Sequence, residues 1–511
     1  MSPRIHRISK SRFVAGLHCE RRLWMLTNRR QDQRESTPAE QHRMELGTAF
    51  GRDVTKLFQE GVEIAADHEH PQEALDETAA ALNGKAPTLF EAAFLHHEVL
   101  IRADILKRSE TNPEAWDLIE VKSSSNSESS RGRNLKKYIP DMAVQLYVLE
   151  GAGVAVDSIS LAWVNSGYER MGELDWNQLV AFEDHSSAVR ARSAKIAKEL
   201  EHFLGMIDQP SMPCADYGKT KCGGCEFNQV CWSEEPDDSI IHIPRISPKK
   251  IDELRALDVS RISEIPPEYE LTAGQEPMRE ALGYPNGKLV QPDRLTQWLE
   301  NLEYPIRYFD FETWNPCIPP FDKTRPYTQI PFQYSVHIQN EPGGDPSHRE
   351  FLADVPGDPR LDLIEHMLED LGKTGSIVVH HAEFETKRIK ELATYSPRHT
   401  TAILALLNRI EDTEVPFKNN WYLHPGLMGR SSIKVVLPTL VPELSYDEME
   451  IAEGLSAALL FGDMYEGRLE DLMFETARQN LLDYCRMDTL AMVRIVERLR
   501  QIAGRVLGSA S

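Results

Sequence analysis

The sequence predicts an α/β protein in three parts: a mixed domain over residues 1–235, a helical linker over 236–300 and a second α/β domain over 301–511. Three observations predict this. Buried-strand patterns that carry acids occur in both the first and last parts, at Val99–Leu106 and Ile306–Thr313. A lone Cys19 is answered far along the chain by Cys222-x2-Cys225-x5-Cys231, marking both ends of the first part. Between the domains, the acidic run from Glu234 to Asp238 opens a polar stretch leading to short amphipathic segments such as Lys249–Leu257.

A length of 511 residues suits about three domains. Hydrophobic residues at 41% and charged ones at 27% are ordinary for a globular chain. No apolar run reaches membrane-spanning length, and Phe13–Leu17 is too short for a signal peptide, so a cytoplasmic protein without a membrane partner is expected. The net charge of −23 argues against a uniformly basic nucleic-acid surface. Its distribution is uneven: residues 1–30 hold eight Lys and Arg against Glu20 alone, and Arg131, Arg133, Lys136 and Lys137 form a second cluster. Such patches can hold phosphates, or can be solvated faces. Ser123–Ser130 is the one low-complexity stretch, expected as a flexible loop.

In the first part, Val99–Leu106 and Asp117–Lys122 read as neighbouring strands. Pairing them brings Asp104 beside Glu120, and the period of two puts Lys122 on the face of Glu120. Two close carboxylates repel, and Mg²⁺ or Mn²⁺ relieves that repulsion. Lys122 can orient a metal-bound water or stabilise phosphate charge. Gly47–Gly51 lies on an early helix with Glu45, and Gln145 and Tyr147 follow on a helix, placed to touch substrate or the Lys122 face. Glu98 is a further acid near the strand ends. The seven cysteines, in a chain without a secretory signal, favour an iron–sulfur cluster or zinc over disulfides. Cys317 and Cys485 read as buried thiols.

These motifs, with Cys19–Trp24, resemble the PD-(D/E)XK nuclease superfamily, specifically its RecB-like branch with an iron–sulfur staple, as in AddB and the CRISPR-associated nuclease of spacer acquisition. The resemblance implies a restriction-endonuclease-like fold, Asp104 and Glu120 as metal ligands, Lys122 as catalytic lysine and Glu45 as an additional acid. It also implies a 4Fe-4S cluster held by Cys19, Cys222, Cys225 and Cys231, with Cys214 as a substitute for Cys222.

In the last part, Asp310 and Glu312 lie two apart on a strand, hence on one face. Ile377–His380 is a second buried strand leading into a helix start at His381–Glu385. Tyr484 and Asp488, four apart on a long helix over about 474–500, share a face. Acids converging from separate elements suit a two-metal phosphodiester hydrolase, with ions roughly 4 Å apart. The order resembles DnaQ-like DEDD exonucleases of the ribonuclease H-like fold. That resemblance implies Asp310, Glu312, Glu385 and Asp488 as Mg²⁺ or Mn²⁺ ligands and Tyr484 as the water-positioning tyrosine. Glu385 departs from the usual Asp. Ser432 and Lys434 resemble a substrate-side helix start, and Thr324–Tyr334 offers Arg, Gln and aromatics for stacking on a single strand. Asp412 and Asp447 have no assigned role, and His424-Pro425-Gly426 reads as a turn.

The whole chain resembles an uncharacterised bacterial family in which a domain of unknown function follows such an iron–sulfur nuclease domain. The expectation is a metal-dependent nuclease with two sites, acting on single-stranded DNA in repair or defence, and the resemblance leaves open a helicase or other partner. The alternatives are an RNA-processing exonuclease and a catalytically weak nucleic-acid-binding protein.

Overall fold

The computed structural model describes residues 6–84, 86–214, 222, 224–233, 235–446, 449–451 and 454–509, with side chains of the last helix described as far as residue 504. Glu234 and Asp447 lie outside the described residues. The chain forms two compact units, Met1–Glu234 with Pro316–Thr328, and Glu235–Asn315 with Gln329–Ser511. The 236–300 segment thus folds within the second unit instead of standing apart as a linker. Among the described residues, no helix is long and apolar enough to cross a membrane. Both units are mixed α/β.

The first unit is built on strands β1 (Ile8–Ser9), β2 (Gly61–Glu63), β3 (Thr88–His96), β4 (Val99–Arg108), β5 (Trp116–Ser125), β6 (Val156–Val164) and β7 (Val180–Asp184). They pair in the order β2-β3-β4-β5-β6-β7, with β1 parallel to β4. Strands β3, β4 and β5 run antiparallel, and β5 pairs parallel with β6. His97 and Glu98, both left-handed at φ +43° and +67°, form the two-residue turn that sets His96 against Val99. Glu98 is therefore a turn residue, paired with Arg7 at 3.4 Å, and not an acid of the site.

Helices α1 (Lys10–His18) and α2 (Glu20–Asn28) are separated by the extended Cys19 (φ −160°). Helix α3 (Pro38–Thr55) starts with a reciprocal Thr37–Glu40 capping box and Pro38 in its first turn. Phe50 and Val54 of α3 pack on Ile105 and Ile119 in one core layer. Helix α4 (Pro71–Asn83) adjoins β3, where the Thr78 hydroxyl accepts from the Ala93 amide. Helix α5 (Glu128–Gly151) contributes Met142, Leu146 and Leu149 to the larger core with Leu106, Leu118 and Trp163. The expected flexible loop at Ser123–Ser130 is mostly regular: Ser123–Ser125 close β5, and α5 begins at Glu128. Ladder pairing and helical hydrogen bonds outweigh the polar composition there.

The second unit carries β8 (Lys288–Leu289), β9 (Ile306–Trp314), β10 (Ile330–Gln339), β11 (Ser347–Leu352), β12 (Ile377–Val379), β13 (Ile410–Asp412) and β14 (Tyr422–Leu423). Five of these form a sheet ordered β11-β10-β9-β12-β13, and β8 pairs with β14. Strand β9 is central, antiparallel to β10 and parallel to β12. Its Phe309 and Phe311 pack with Leu363, Ile364 and Met367 of α6 (Arg360–Leu371), and with Ile389 and Leu392 of α7 (Ala382–Tyr395). Helices α8 (Ile433–Leu440), α9 (Gly454–Tyr465) and α10 (Asp471–Ser509) complete the unit. Buried polar pairs fix α10 over the sheet: Gln333 Nε2 donates to the Leu481 carbonyl at 2.8 Å. The Thr489 hydroxyl meets both Ser335 and His337 at 2.8 Å.

Candidate active sites

In the first unit, Asp104 and Glu120 meet one register step beyond the Ile105–Ile119 pair. The Val121 amide donates to Asp104 Oδ2 at 2.8 Å. Glu120 is fully buried and heavily paired. Lys10 Nζ lies 3.1 Å from Oε1, Gln145 Nε2 donates to Oε2 at 2.6 Å, and Lys122 bridges the same carboxylate. Asp141 joins them, 3.1 Å from Lys122 and 3.7 Å from Lys10. Burial alone would raise Glu120, but Lys10 and Lys122 reverse that and hold it below the usual carboxylate range. Burial and the Glu120 charge push Asp104 up to about 7. Asp104 and Lys122 line a cavity of about 1090 Å³ with Met44, Gly47, Thr48 and Gly51 of α3.

The other expected residues of this site are placed differently. Gln145 is wholly buried and donates to Glu120, so it positions that carboxylate. The Tyr147 hydroxyl lies 2.8 Å from His97 Nδ1 and lines no part of the Asp104 cavity. Glu45 points to solvent, 76% exposed, near His42. Lys10 and Asp141 are the residues that sequence reading missed. Asp141 carried a signal, lying one helical turn before Gln145 on α5. Lys10 carried none, because its place depends on β1 pairing with β4.

In the second unit, Asp310 and Glu312 on β9 and Asp488 on α10 line one pocket of about 360 Å³, and Glu385 on α7 lies against Asp310 beside it. Glu312, Glu385 and Asp488 are buried, and Asp310 is half-buried. Burial and the neighbouring acids push Asp310 and Glu312 well up. Burial raises Glu385 to about 8, and raises Asp488 to about 6 against the opposing effects of Tyr446 and Lys434. Unlike Glu120, this group is short of positive charge. Glu385 hydrogen-bonds Asp310 through its longer side chain, while its Oε2 is buried without a hydrogen-bond partner among the described residues. An orphaned carboxylate oxygen among mutually raised acids fits a divalent cation. Asp310, Glu312 and Cys485 also bring ligand atoms within 4.8 Å of one another, and the Cys485 thiol lies 3.9 Å from the Asp310 carbonyl oxygen. Cys485 is thus a buried thiol that borders the site.

Tyr446, missed from sequence, donates to Asp488 Oδ1 at 2.5 Å, and Tyr484 also bonds Asp488. Lys434 sits over the Tyr446 and Tyr484 rings at 5.8 and 5.4 Å from their centroids and lines the pocket. Ser432 caps the start of α8 in sequence but is exposed and does not line the pocket. Asp412 acquires a role: it accepts from the His381 and Ala382 amides, both at 3.0 Å, and so anchors the start of the helix that carries Glu385. The expected stacking segment is a packing element instead. Phe332 and Tyr334 are fully buried, Gln333 is committed to α10, and Tyr327 bonds the Ser123 carbonyl.

Among the cysteines, burial raises the Cys225 thiol to about 11, with a contribution from Cys19; burial also raises Cys231, with Cys19 and Cys222 adding. Cys19 is thus an electrostatic neighbour of Cys225 and Cys231. Arg21 Nη1 lies 3.9 Å from Cys231 Sγ and Arg22 pairs with Glu226 at 2.9 Å, tying α2 to the cysteine segment. Cys214 is exposed, and residues 215–221 and 223 lie outside the described residues.

Residues 307–432 match the family model described as "Domain of unknown function (DUF2779)". The chain is 26% identical over 206 residues to "Uncharacterized protein MG366 homolog" of Mycoplasma pneumoniae, covering 37% of this chain and 31% of the relative. It is 26% identical over 214 residues to "Uncharacterized protein UU173" of Ureaplasma parvum, covering 37% and 30%. The chain spans about a third of the length of the curated relatives it matches. The crystal structure of SSO0001 aligns with 45% of this chain and 87% of that one at 15% identity, with a TM-score of 0.22, too low to indicate a common fold.

Proposed function

We propose that the chain carrying this DUF2779 domain, with its distant uncharacterised homologues, is a metal-dependent nuclease acting on single-stranded DNA, with a hydrolytic site in each unit. The observation that carries the proposal is the convergence of Asp310, Glu312 and Asp488 on one pocket short of positive charge, with Glu385 hydrogen-bonded to Asp310 beside it. Those four carboxylates would hold two Mg²⁺ or Mn²⁺ ions, which supply an activated water and neutralise the leaving oxygen. Lys434 meets the phosphate charge at the pocket wall. The Tyr484 phenol, kept protonated by burial and Asp488, directs its hydroxyl toward the water. Gly454 leaves space beside Glu312, where a Cβ would stand 3.5 Å from Oε2.

Asp104 and Glu120 would hold metal in the first unit, but a cation there must displace Lys10 or Lys122 from Glu120. The ribonuclease H-like and PD-(D/E)XK folds belong to this same reading, supported by the mixed sheets that carry the acids. Cys19, Cys222, Cys225 and Cys231 would bind a 4Fe-4S cluster that joins the ends of the first unit.

The test uses anaerobically purified protein with matched single-stranded DNA and RNA, labelled at either end, in Mg²⁺ or Mn²⁺. Progressive shortening of DNA ahead of RNA is expected. Faster loss of RNA overturns the substrate assignment, and intact strands of both kinds overturn the nuclease reading.

A further inference from the structure

A second cavity that the proposed chemistry leaves unused lies within the second unit. It measures about 830 Å³ and is closed on one side by 244–282 and on the other by 381–431. The two walls meet tightly at Gly429 (φ +62°), where a Cβ would come 2.5 Å from Pro244 Cγ. Gln275 Nε2 donates to the Pro244 carbonyl at 3.0 Å and fixes the opposite wall.

The lining is cationic at the rim and flat inside. Arg245 and Arg430 are exposed, line the cavity and have no side-chain hydrogen bond or ion pair among the described residues. The one acid, Glu414, is already neutralised: Ser431 donates to Oε1 at 2.6 Å, and His381 and Lys418 lie 3.0 and 3.5 Å from Oε2. Tyr422 and His424 present nearly parallel rings, 24° apart in plane, with Phe417 beside them. Arg245, His381, Asn420 and Met428 all hold left-handed backbone around this space, at φ +54°, +73°, +55° and +49°. For Arg245 and Met428 that conformation is costly, as is found at ligand-binding sites.

The cavity also shares a wall with the acid pocket. His380 lines the acid pocket and its neighbour His381 lines the cavity; His380 Nε2 lies 2.8 Å from the Ser431 carbonyl oxygen. Ser431 faces the cavity, while Ile433 and Lys434 face the acids.

We infer that this cavity binds a nucleotide, its phosphate held by Arg245 and Arg430 and its base set against the Tyr422–His424 wall. Unpaired guanidiniums are suited to phosphate, and flat rings to a base. The inference rests on the nuclease reading for the identity of the ligand and extends it to a subsite beyond the reacting phosphate. A nucleotide of a bound strand and a free nucleotide share this chemistry.

Binding of fluorescent oligo(dT), and competition by dTMP, would be measured on the full chain in EDTA, comparing wild type with Arg245→Ala/Arg430→Ala. We expect at least about tenfold weaker oligo(dT) binding and a salt slope reduced by about 1.4 in the double variant. Loss of dTMP competition as well assigns the site to a free nucleotide; unchanged competition with weakened oligo(dT) assigns it to the strand. Binding of both probes within twofold of wild type overturns the inference. EDTA silences hydrolysis, so the two proposals fail separately: cleavage without arginine dependence of binding removes only the subsite, and arginine-dependent binding without cleavage removes only the nuclease.

Discussion

Asp310 and Glu120 are both acids deep in a unit, with opposite surroundings. Glu120 has two lysines and an amide, whereas Asp310 has three further acids. Replacing Asp310 by Asn removes repulsion from the metal-free protein, so Asp310→Asn should raise its melting temperature by a few degrees while abolishing cleavage at that site. Calorimetry in EDTA beside a cleavage assay checks both halves. Lys10→Met should destabilise by about 2 kcal/mol, because a hydrogen bond to a buried charge is lost, as read by urea denaturation. Sequence revealed Asp104, Glu120 and Lys122 because strand alternation places them, and Asp310 with Glu312 for the same reason. It did not reveal Lys10 or Tyr446, which reach their acids through contacts between distant segments with no period to betray them.

At the scale of elements, the arrangement of the acids depends on how α10 is seated over β9 and β10. Among the described residues the Thr489 hydroxyl bonds no acid of the pocket, yet it is shared between Ser335 and His337 one residue from Asp488. Thr489→Val should cost about 1–3 kcal/mol of stability and lower cleavage at unchanged metal ligands, read by denaturation and turnover together. The strands and the long helix were legible because each has a sustained apolar pattern. The Ser123–Ser130 and Thr324–Tyr334 readings went astray because polar or aromatic composition does not say whether a segment is paired. In the first case the serines extend a strand and open a helix; in the second the aromatics fill the interior.

At the scale of the whole molecule, the raised acids tie stability to pH. Glu385 at about 8 and Asp488 at about 6 hold protons in the folded state that the unfolded chain releases near ordinary carboxylate values. Folded protein therefore binds more protons between about pH 4 and pH 8, and metal-free stability should fall as pH rises through that window. Mn²⁺ should restore more melting temperature at pH 8 than at pH 6, because binding must displace those protons. A scan of melting temperature against pH, with and without Mn²⁺, checks the sign. The cysteine arrangement predicts that anaerobic protein is brown and contains iron and acid-labile sulfide, with Cys225→Ala losing both colour and stability. Colourless, stable protein containing zinc would contradict the cluster.

The central claim is that the Asp310, Glu312, Glu385 and Asp488 quartet hydrolyses phosphodiester bonds. It is tested most directly in an Asp104→Ala background, where only the second unit keeps its full set of acids. End-labelled single-stranded DNA would be incubated in Mn²⁺ with Asp104→Ala protein and with Asp104→Ala/Asp310→Asn protein. The account predicts progressive shortening by the first and intact strands with the second. Equal shortening by both, or none by either while wild type cleaves, would contradict it.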